Sequence, residues 1–267
     1  MNEGIESRYG RYNTIDFINE NTGWIINYWD QKLLKTEDGG ETWFILPITN
    51  VPLTKSGDST VEMVDFINDS VGWLMSCDNN SSIYKTEDGG NTWLKQKVLT
   101  GDPESSLLQV LDESIIYASN GINLLKTLDG GTSWIDISPN LANRIYESIC
   151  FLSSDTGFVS GRQIVDSTSI GFLLNTFDGG NNWNEEIMPE FESISGLQFF
   201  NMHDSPKSIG YFVADTVLCR TEDFGHNKEI ISKNVNSFYC VDLNIIYAVA
   251  WDDVFFPRIL LKVVMEG

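Results

Sequence analysis

The residues of this chain with chemistry to offer are mainly carboxylates. Asp16 and Asp65 occupy matching places in two otherwise apolar stretches. Two such carboxyls, brought together, are what a glycoside hydrolase uses as its acid and its base or nucleophile. Apolar surroundings would perturb the ionisation of both. The matching positions further along are Gln109, Cys150, Gln198 and Tyr239, so the acidic pair is not continued. The plainer role for each Asp is a hydrogen bond to the backbone of a neighbouring strand. Nothing in the sequence has the pattern of an activated Ser or Cys nucleophile, a phosphate-binding loop or a dinucleotide fingerprint. Cys77, Cys150, Cys219 and Cys240 lie far apart, and His203 and His226 have no ligand-type spacing around them. No metal site and no cofactor are therefore expected.

A second set of aspartates recurs inside one phrase. It reads Thr36-Glu-Asp38-Gly-Gly40-Glu-Thr-Trp43, Thr86-Glu-Asp88-Gly-Gly90-Asn-Thr-Trp93, Thr127-Leu-Asp129-Gly-Gly131-Thr-Ser-Trp134 and Thr176-Phe-Asp178-Gly-Gly180-Asn-Asn-Trp183. A worn fifth copy reads Thr221-Glu-Asp223-Phe-Gly225-His-Asn-Lys228. Alternating apolar residues precede each copy, as in a half-buried strand. The Asp side chain can then bond nearby backbone N–H groups, and the glycines tolerate positive φ. The Thr hydroxyl two places earlier can donate to the Asp, and the Trp five places later can fold back over the turn. Burying most of an indole stabilises by roughly 3–5 kcal/mol. These aspartates are read as turn staples, not as reacting groups.

The turn aspartates are 50, 41, 49 and 45 residues apart. A second signature lies upstream: Phe17-Ile-Asn-Glu-Asn-Thr-Gly23-Trp24, Phe66-Ile-Asn-Asp-Ser-Val-Gly72-Trp73, Leu111-Asp-Glu-Ser-Ile-Ile116-Tyr117, Phe151-Leu-Ser-Ser-Asp-Thr-Gly157-Phe158, then Phe199-Phe200 with Gly210-Tyr211, and Val241-Asp-Leu-Asn-Ile-Ile246-Tyr247. It finds six repeats of about 44 residues, the size of a four-stranded propeller blade. The expectation is an all-β, six-bladed β-propeller of antiparallel four-stranded blades forming a single domain over 1–267. The blades fall at about 13–50, 60–100, 105–140, 146–190, 193–233 and 235–265. The sixth has three strands, and residues 5–12 are expected to supply its fourth beside Ile259–Val264, removing an exposed edge.

Composition narrows the partners. With 42% hydrophobic and 12% aromatic residues, the chain can bury a sizeable core. A net charge of −21 leaves no basic face for a phosphate backbone or an anionic membrane surface. No apolar run has the length of a membrane span, and the first residues lack the pattern of a signal peptide. The expectation is a monomeric protein without nucleic-acid or membrane partners, cytoplasmic as written or exported if this is a mature domain.

The phrase Thr-x-Asp-x-Gly-x-Thr-Trp resembles the Asp-box, or bacterial neuraminidase repeat. Together with the upstream Phe…Gly-Trp pattern it is similar to the photosystem II stability/assembly factor-like group of repeat proteins, over about residues 13 to 265. The resemblance implies that the Asp turns are structural hairpins on the face opposite the ligand site. Function would then sit on the face made by the other connections, between the second and third strands and between successive blades. A sialidase-like site needs an arginine cluster, a Tyr–Glu pair and an acid/base Asp. The six arginines are Arg8, Arg11, Arg144, Arg162, Arg220 and Arg258. Arg220 is beside the worn turn and is expected to be spent there. Arg144-Ile145-Tyr146 is the string nearest to that family's early Arg-Ile-Pro, in the wrong repeat.

Six of the eight tryptophans sit at repeat positions and are framework; Trp29 and Trp251 do not. Tyr28-Trp29 and Trp251-Asp252, with Phe255 and Arg258, make an aromatic patch flanked by charges, suited to a protein surface or a sugar ring. Arg162 to Ser169 is read as a polar, mobile insertion. The function expected is a non-catalytic binding or assembly scaffold for a protein or carbohydrate, with Tyr28, Trp29, Arg162, Trp251, Asp252, Phe255 and Arg258 as contacts. The alternative is a carbohydrate-active hydrolase using paired carboxylates.

Overall fold

The computed structural model describes residues 12–27, 32–48, 51, 59–78, 80–100, 105–139, 143–201, 208–251 and 258–264. Among these the regular structure is all β, without a helix. The chain divides into two compact units, Met1–Ser138 and Pro139–Gly267.

The first unit holds three antiparallel sheets. They are β1 (Tyr12–Phe17), β2 (Gly23–Asn27), β3 (Lys32–Thr36) and β4 (Phe44–Leu46); β5 (Ser59–Phe66), β6 (Gly72–Asp78), β7 (Asn80–Thr86) and β8 (Leu94–Leu99); and β9 (Leu107–Val110), β10 (Ile116–Ser119), β11 (Leu124–Thr127) and β12 (Ile135–Asp136). Each is a simple meander in chain order. The second unit repeats the plan with β13 (Arg144–Phe151), β14 (Gly157–Val165), β15 (Thr168–Thr176) and β16 (Asn184–Met188), followed by β17 (Ile194–Asn201), β18 (Ser208–Ala214), β19 (Val217–Thr221) and β20 (Glu229–Lys233). Its last sheet has three described strands, β21 (Val235–Cys240), β22 (Ile245–Trp251) and β23 (Arg258–Val264).

Two local devices recur in these meanders. Between the first and second strands a short side chain accepts two N–H groups: Asn19 from Asn21 and Thr22, Asn68 from Ser70 and Val71, Asp112 from Ser114 and Ile115, and Asp242 from Asn244 and Ile245. This is the side-chain mimic of a turn that Asn and Asp supply. The same turn is then tied to the Thr-x-Asp turn, as in Gly39 N–H to Asn21 O at 2.8 Å and Gly89 N–H to Ser70 O at 2.8 Å. Both turns therefore lie at one end of the sheet.

The Phe…Gly-aromatic signature has a steric cause. A Cβ on Gly72 would come within 2.4 Å of the Phe66 ring, and one on Gly210 within 2.1 Å of the Phe199 ring. The phenyl group of the first strand lies flat across the glycine of the second, where no side chain fits. That ring also packs forward: Phe66 stacks on Trp24 at 3.7 Å and 3°, and Phe199 stacks on Phe158 at the same spacing and angle. Aromatic stacking thus joins each of these sheets to the one before it, in a core where Trp24, Trp73, Phe158 and Phe212 are fully buried.

The stretch Arg162 to Ser169 differs from its expected form. Strands β14 and β15 pair without interruption from Gly157↔Thr176 to Val165↔Thr168, across a two-residue turn. Asp166 and Ser167 both take positive φ (48° and 65°), the geometry that matches the twist of a hairpin. The polar composition reflects solvent on both faces of the hairpin tip, and the stretch is a regular extension of the sheet.

Candidate functional site

Three groups of polar residues were candidates for chemistry. In the turns, Asp38 Oδ1 accepts from the Thr36 hydroxyl at 2.9 Å and from Thr42 N–H at 2.8 Å, while Thr36 Oγ1 accepts from Gly40 N–H at 2.9 Å. Trp43 Nε1 donates to Gly40 O at 3.0 Å. Asp88, Asp129 and Asp178 repeat the pattern with Thr86, Thr127 and Thr176, and Trp93 and Trp134 bond Gly90 O and Gly131 O. Bonding to the charged form holds these carboxyls below their ordinary range, Asp129 at about 2 with the Ser133 hydroxyl as the leading cause. Such groups are poor proton donors and already saturated as acceptors.

The fifth turn keeps this geometry without its tryptophan. Asp223 Oδ1 accepts from Thr221 and from Asn227 N–H, and Gly225 N–H donates to Thr221 Oγ1 at 2.9 Å. Phe224 stands where the other copies have glycine and holds φ at 60°, an uncommon state for a bulky residue. Its ring packs on Phe158 and Phe177. Lys228, in the place of the Trp, pairs with Glu190 at 2.6 Å, and Arg220 pairs with Glu222 as expected.

The second group is Asp16 and Asp65. Asp16 Oδ2 accepts from the N–H of Phe66 at 2.6 Å, and Asp65 Oδ2 accepts from the N–H of Val110 at 2.8 Å. In each case the first strand of one sheet is tied to the first strand of the next. Burial pushes the Asp16 carboxyl up, against the bond from Phe66. Burial also pushes Asp65 up to about 7, with the charge of Asp16 adding and the Val110 bond opposing. The corresponding places in the second unit make the same tie. Phe199 N–H donates to Cys150 Sγ at 3.3 Å, and Gln198 bonds both the N–H and the C=O of Cys240 at 2.8 Å.

The third group is built on the β13–β16 sheet around Arg162 and Arg144. Arg162 pairs with Glu147, whose other oxygen accepts from the Ser193 hydroxyl. Arg144 pairs with Glu185, bonds Gln163 at 3.3 Å and lies over the Phe172 ring at 4.6 Å. Its Nε and Nη1 are buried without a partner. Glu147, Ser193 and Glu185 were not among the expected residues; they meet the two arginines only through the folded sheet, and no local motif reports them.

Of the expected contact residues, Arg162 is thus placed within a charged cluster. Trp251 and Arg258 stand in register on neighbouring strands. Tyr28, Trp29, Asp252 and Phe255 lie outside the described residues. Two open grooves, of about 480 and 380 Å³, run along the turn ends, beside Trp93 and Asp129 and beside Arg220 and Lys228. Among the described residues no three metal-ligating side chains cluster, and no helix is long and apolar enough to cross a membrane.

No protein-family model matches the chain, and no curated protein is significantly similar to it. Solved structures do match. The β-propeller domain of Nup133 from Vanderwaltozyma polyspora aligns over 97% of this chain and 84% of its own, with a TM-score of 0.63 and 12% identity. The fold is that of a β-propeller. YCF48 from Cyanidioschyzon merolae aligns over 90% of this propeller and 80% of itself, at 0.64 and 16%. An ancestral GH74 enzyme aligns over 94% of this chain at 0.62 and 13%, and the propeller spans 37% of that enzyme's length. At such identities the likeness is one of fold, shared by proteins of different activities.

Proposed function

We propose that this propeller is a non-catalytic binding and assembly scaffold whose partner is a protein, held at the sheet ends away from the Thr-x-Asp turns. The observation that carries the reading is the state of Asp16 and Asp65. A hydrolase needs its two carboxyls free to face substrate, and here each spends an oxygen on the backbone of the next sheet. The surface left for recognition is the charged cluster of Arg162, Glu147 and Ser193, with Trp251 and Arg258 in register on their own sheet. Tyr28, Trp29, Asp252 and Phe255 complete the proposed contact set, and a glycan is the other ligand class that aromatic patches of this kind take.

The finer fold reading belongs to the same proposal. The turns are Asp-boxes of the kind found in photosystem II stability/assembly factor-like repeats. The six sheets are blades of one domain, and part of residues 5–12 pairs with β23 as its fourth strand. Deleting residues 1–11 should then lower the melting temperature by several degrees; an unchanged melting temperature would remove the closing strand.

The scaffold reading is tested by comparing the protein with an Arg162→Ala, Trp251→Ala double variant of unchanged circular dichroism. A purified partner should bind the parent and bind the variant at least tenfold more weakly. Turnover of an oligosaccharide by the parent, lost in Asp65→Asn, would replace the scaffold by the hydrolase.

A further inference from the structure

Where the first unit ties sheet to sheet, the acceptor is a carboxylate; where the second unit does so, it is the Cys150 thiol or the Gln198 amide. The geometry is otherwise the same, with the donor one place beyond the matching staple position of the following sheet. An amide accepts equally well at any pH near neutrality, and burial pushes the Cys150 thiol up to about 11, so it stays protonated. A carboxyl exists in two forms, and only the neutral form suits a half-buried place beside another acid.

We propose that Asp65, with Asp16 beside it, makes the junction between the second and third sheets a proton-operated joint, tight when Asp65 holds a proton and loosened when it is ionised.

The surroundings of Asp65 bear this out element by element. On its own sheet its cross-strand neighbour is Trp73, followed by Lys85. Lys85 lies over the Trp73 ring at 5.4 Å and is already paired with Glu87 at 2.8 Å. Glu62 sits toward the other end of β5. The third sheet meets it with the apolar row Leu108, Ala118 and Leu125, which ends in Asp136 on the outer strand. From the first sheet comes Asp16, a like charge, and behind it Lys35, over Trp24 at 5.3 Å and paired with Glu37. Lys95, on the second sheet's opposite face, lies over the Tyr84 ring. Lys35, Lys85 and Lys95 are thus each engaged with a ring or a carboxylate, and the third sheet offers Asp65 the N–H of Val110. A protonated carboxyl still accepts that bond through its carbonyl oxygen. The ionised form keeps the bond but must hold a charge in an apolar junction, and opening the joint relieves it.

The sign follows from linkage. Asp65 in the closed joint binds its proton up to about pH 7, whereas an exposed Asp releases it near 3.9. Closure is therefore favoured fully below about pH 4, weakens as pH rises toward 7 and is level above it. This inference does not depend on what the scaffold binds.

The test is amide hydrogen exchange of the intact protein between pH 4.5 and 8.5, corrected for the intrinsic rate. Protection at Val110 should fall by up to tenfold per pH unit toward pH 7 and then level off, while protection at Cys240, tied by Gln198, stays flat over the same range. Asp65→Asn should flatten the Val110 profile, and Asp16→Asn should move its level stretch to lower pH. Parallel profiles at Val110 and Cys240, or an unaltered Val110 profile in Asp65→Asn, would overturn the proposal; the first comparison needs no variant to fold.

Discussion

The two units join their sheets in the same place by different chemistry. Residues 12–138 use Asp16 and Asp65 as acceptors, and residues 143–264 use Cys150 and Gln198. The comparison separates what a junction requires from what it tolerates. An acceptor on the first strand of one sheet must face a particular N–H on the first strand of the next; a stacked aromatic ring accompanies the tie at Phe66 and Phe199, where the donor is itself a phenylalanine. The charge of the acceptor is free to vary, and with it the response to pH. Buried acids in a propeller are therefore not by themselves the mark of an active site; the partner of each oxygen decides.

The largest effect expected is common to both units. Phe66→Ala and Phe199→Ala each remove a ring that stacks at 3.7 Å on the preceding sheet and covers a glycine. Each should cost about 3–5 kcal/mol in denaturant unfolding, and a cost confined to one of them would break the equivalence of the junctions. Next comes Gln198→Ala, which leaves both the N–H and the C=O of Cys240 unpaired. A loss of about 2–3 kcal/mol, the same at pH 5 and pH 8, is expected from urea titration. At its junction Asp65→Asn should behave differently, gaining relative to the parent as pH rises from 5 to 7, by at most ~1.4 kcal/mol per pH unit. The turns respond in the opposite direction. Their aspartates are held below the ordinary range, so their stabilisation is present above about pH 4 and lost as pH falls toward 2. Thermal melting should accordingly pass through a maximum in mildly acid solution. The smallest effect is at the fifth turn. Lys228→Ala removes a partly exposed ion pair with Glu190 and should change stability by less than ~1 kcal/mol, whereas Trp93→Ala, in the same place of the second turn, should cost several times that.

Much of this arrangement was legible in the sequence because it is local. The Thr-x-Asp-Gly-Gly phrase carries its own donors, acceptors and positive-φ positions within five residues, and the turn forms as that chemistry requires, even where Phe224 replaces a glycine. The upstream signature was legible as a repeat, but its cause, a phenyl ring lying over Gly72 or Gly210, shows only once two strands are paired. The sheet-to-sheet ties were visible as a list of matching positions, with backbone bonding as one reading of Asp16 and Asp65. Their partners, 42 to 50 residues away, could not be named. The regular hairpin at Asp166 and Ser167 was not legible, because strands exposed on both faces lack the alternation by which strands are recognised. The cluster of Arg144, Glu147, Arg162, Glu185 and Ser193 draws on three strands and the residue before a fourth, and no single stretch of sequence announces it.

One measurement addresses the joint most directly: the side-chain carboxyl titrations of Asp65 and Asp129 followed by carbon NMR in the folded protein. The account predicts a midpoint near 7 for Asp65 and near 2 for Asp129, the same residue type driven in opposite directions by its partners. Midpoints for both within a unit of the ordinary value of about 3.9 would contradict it.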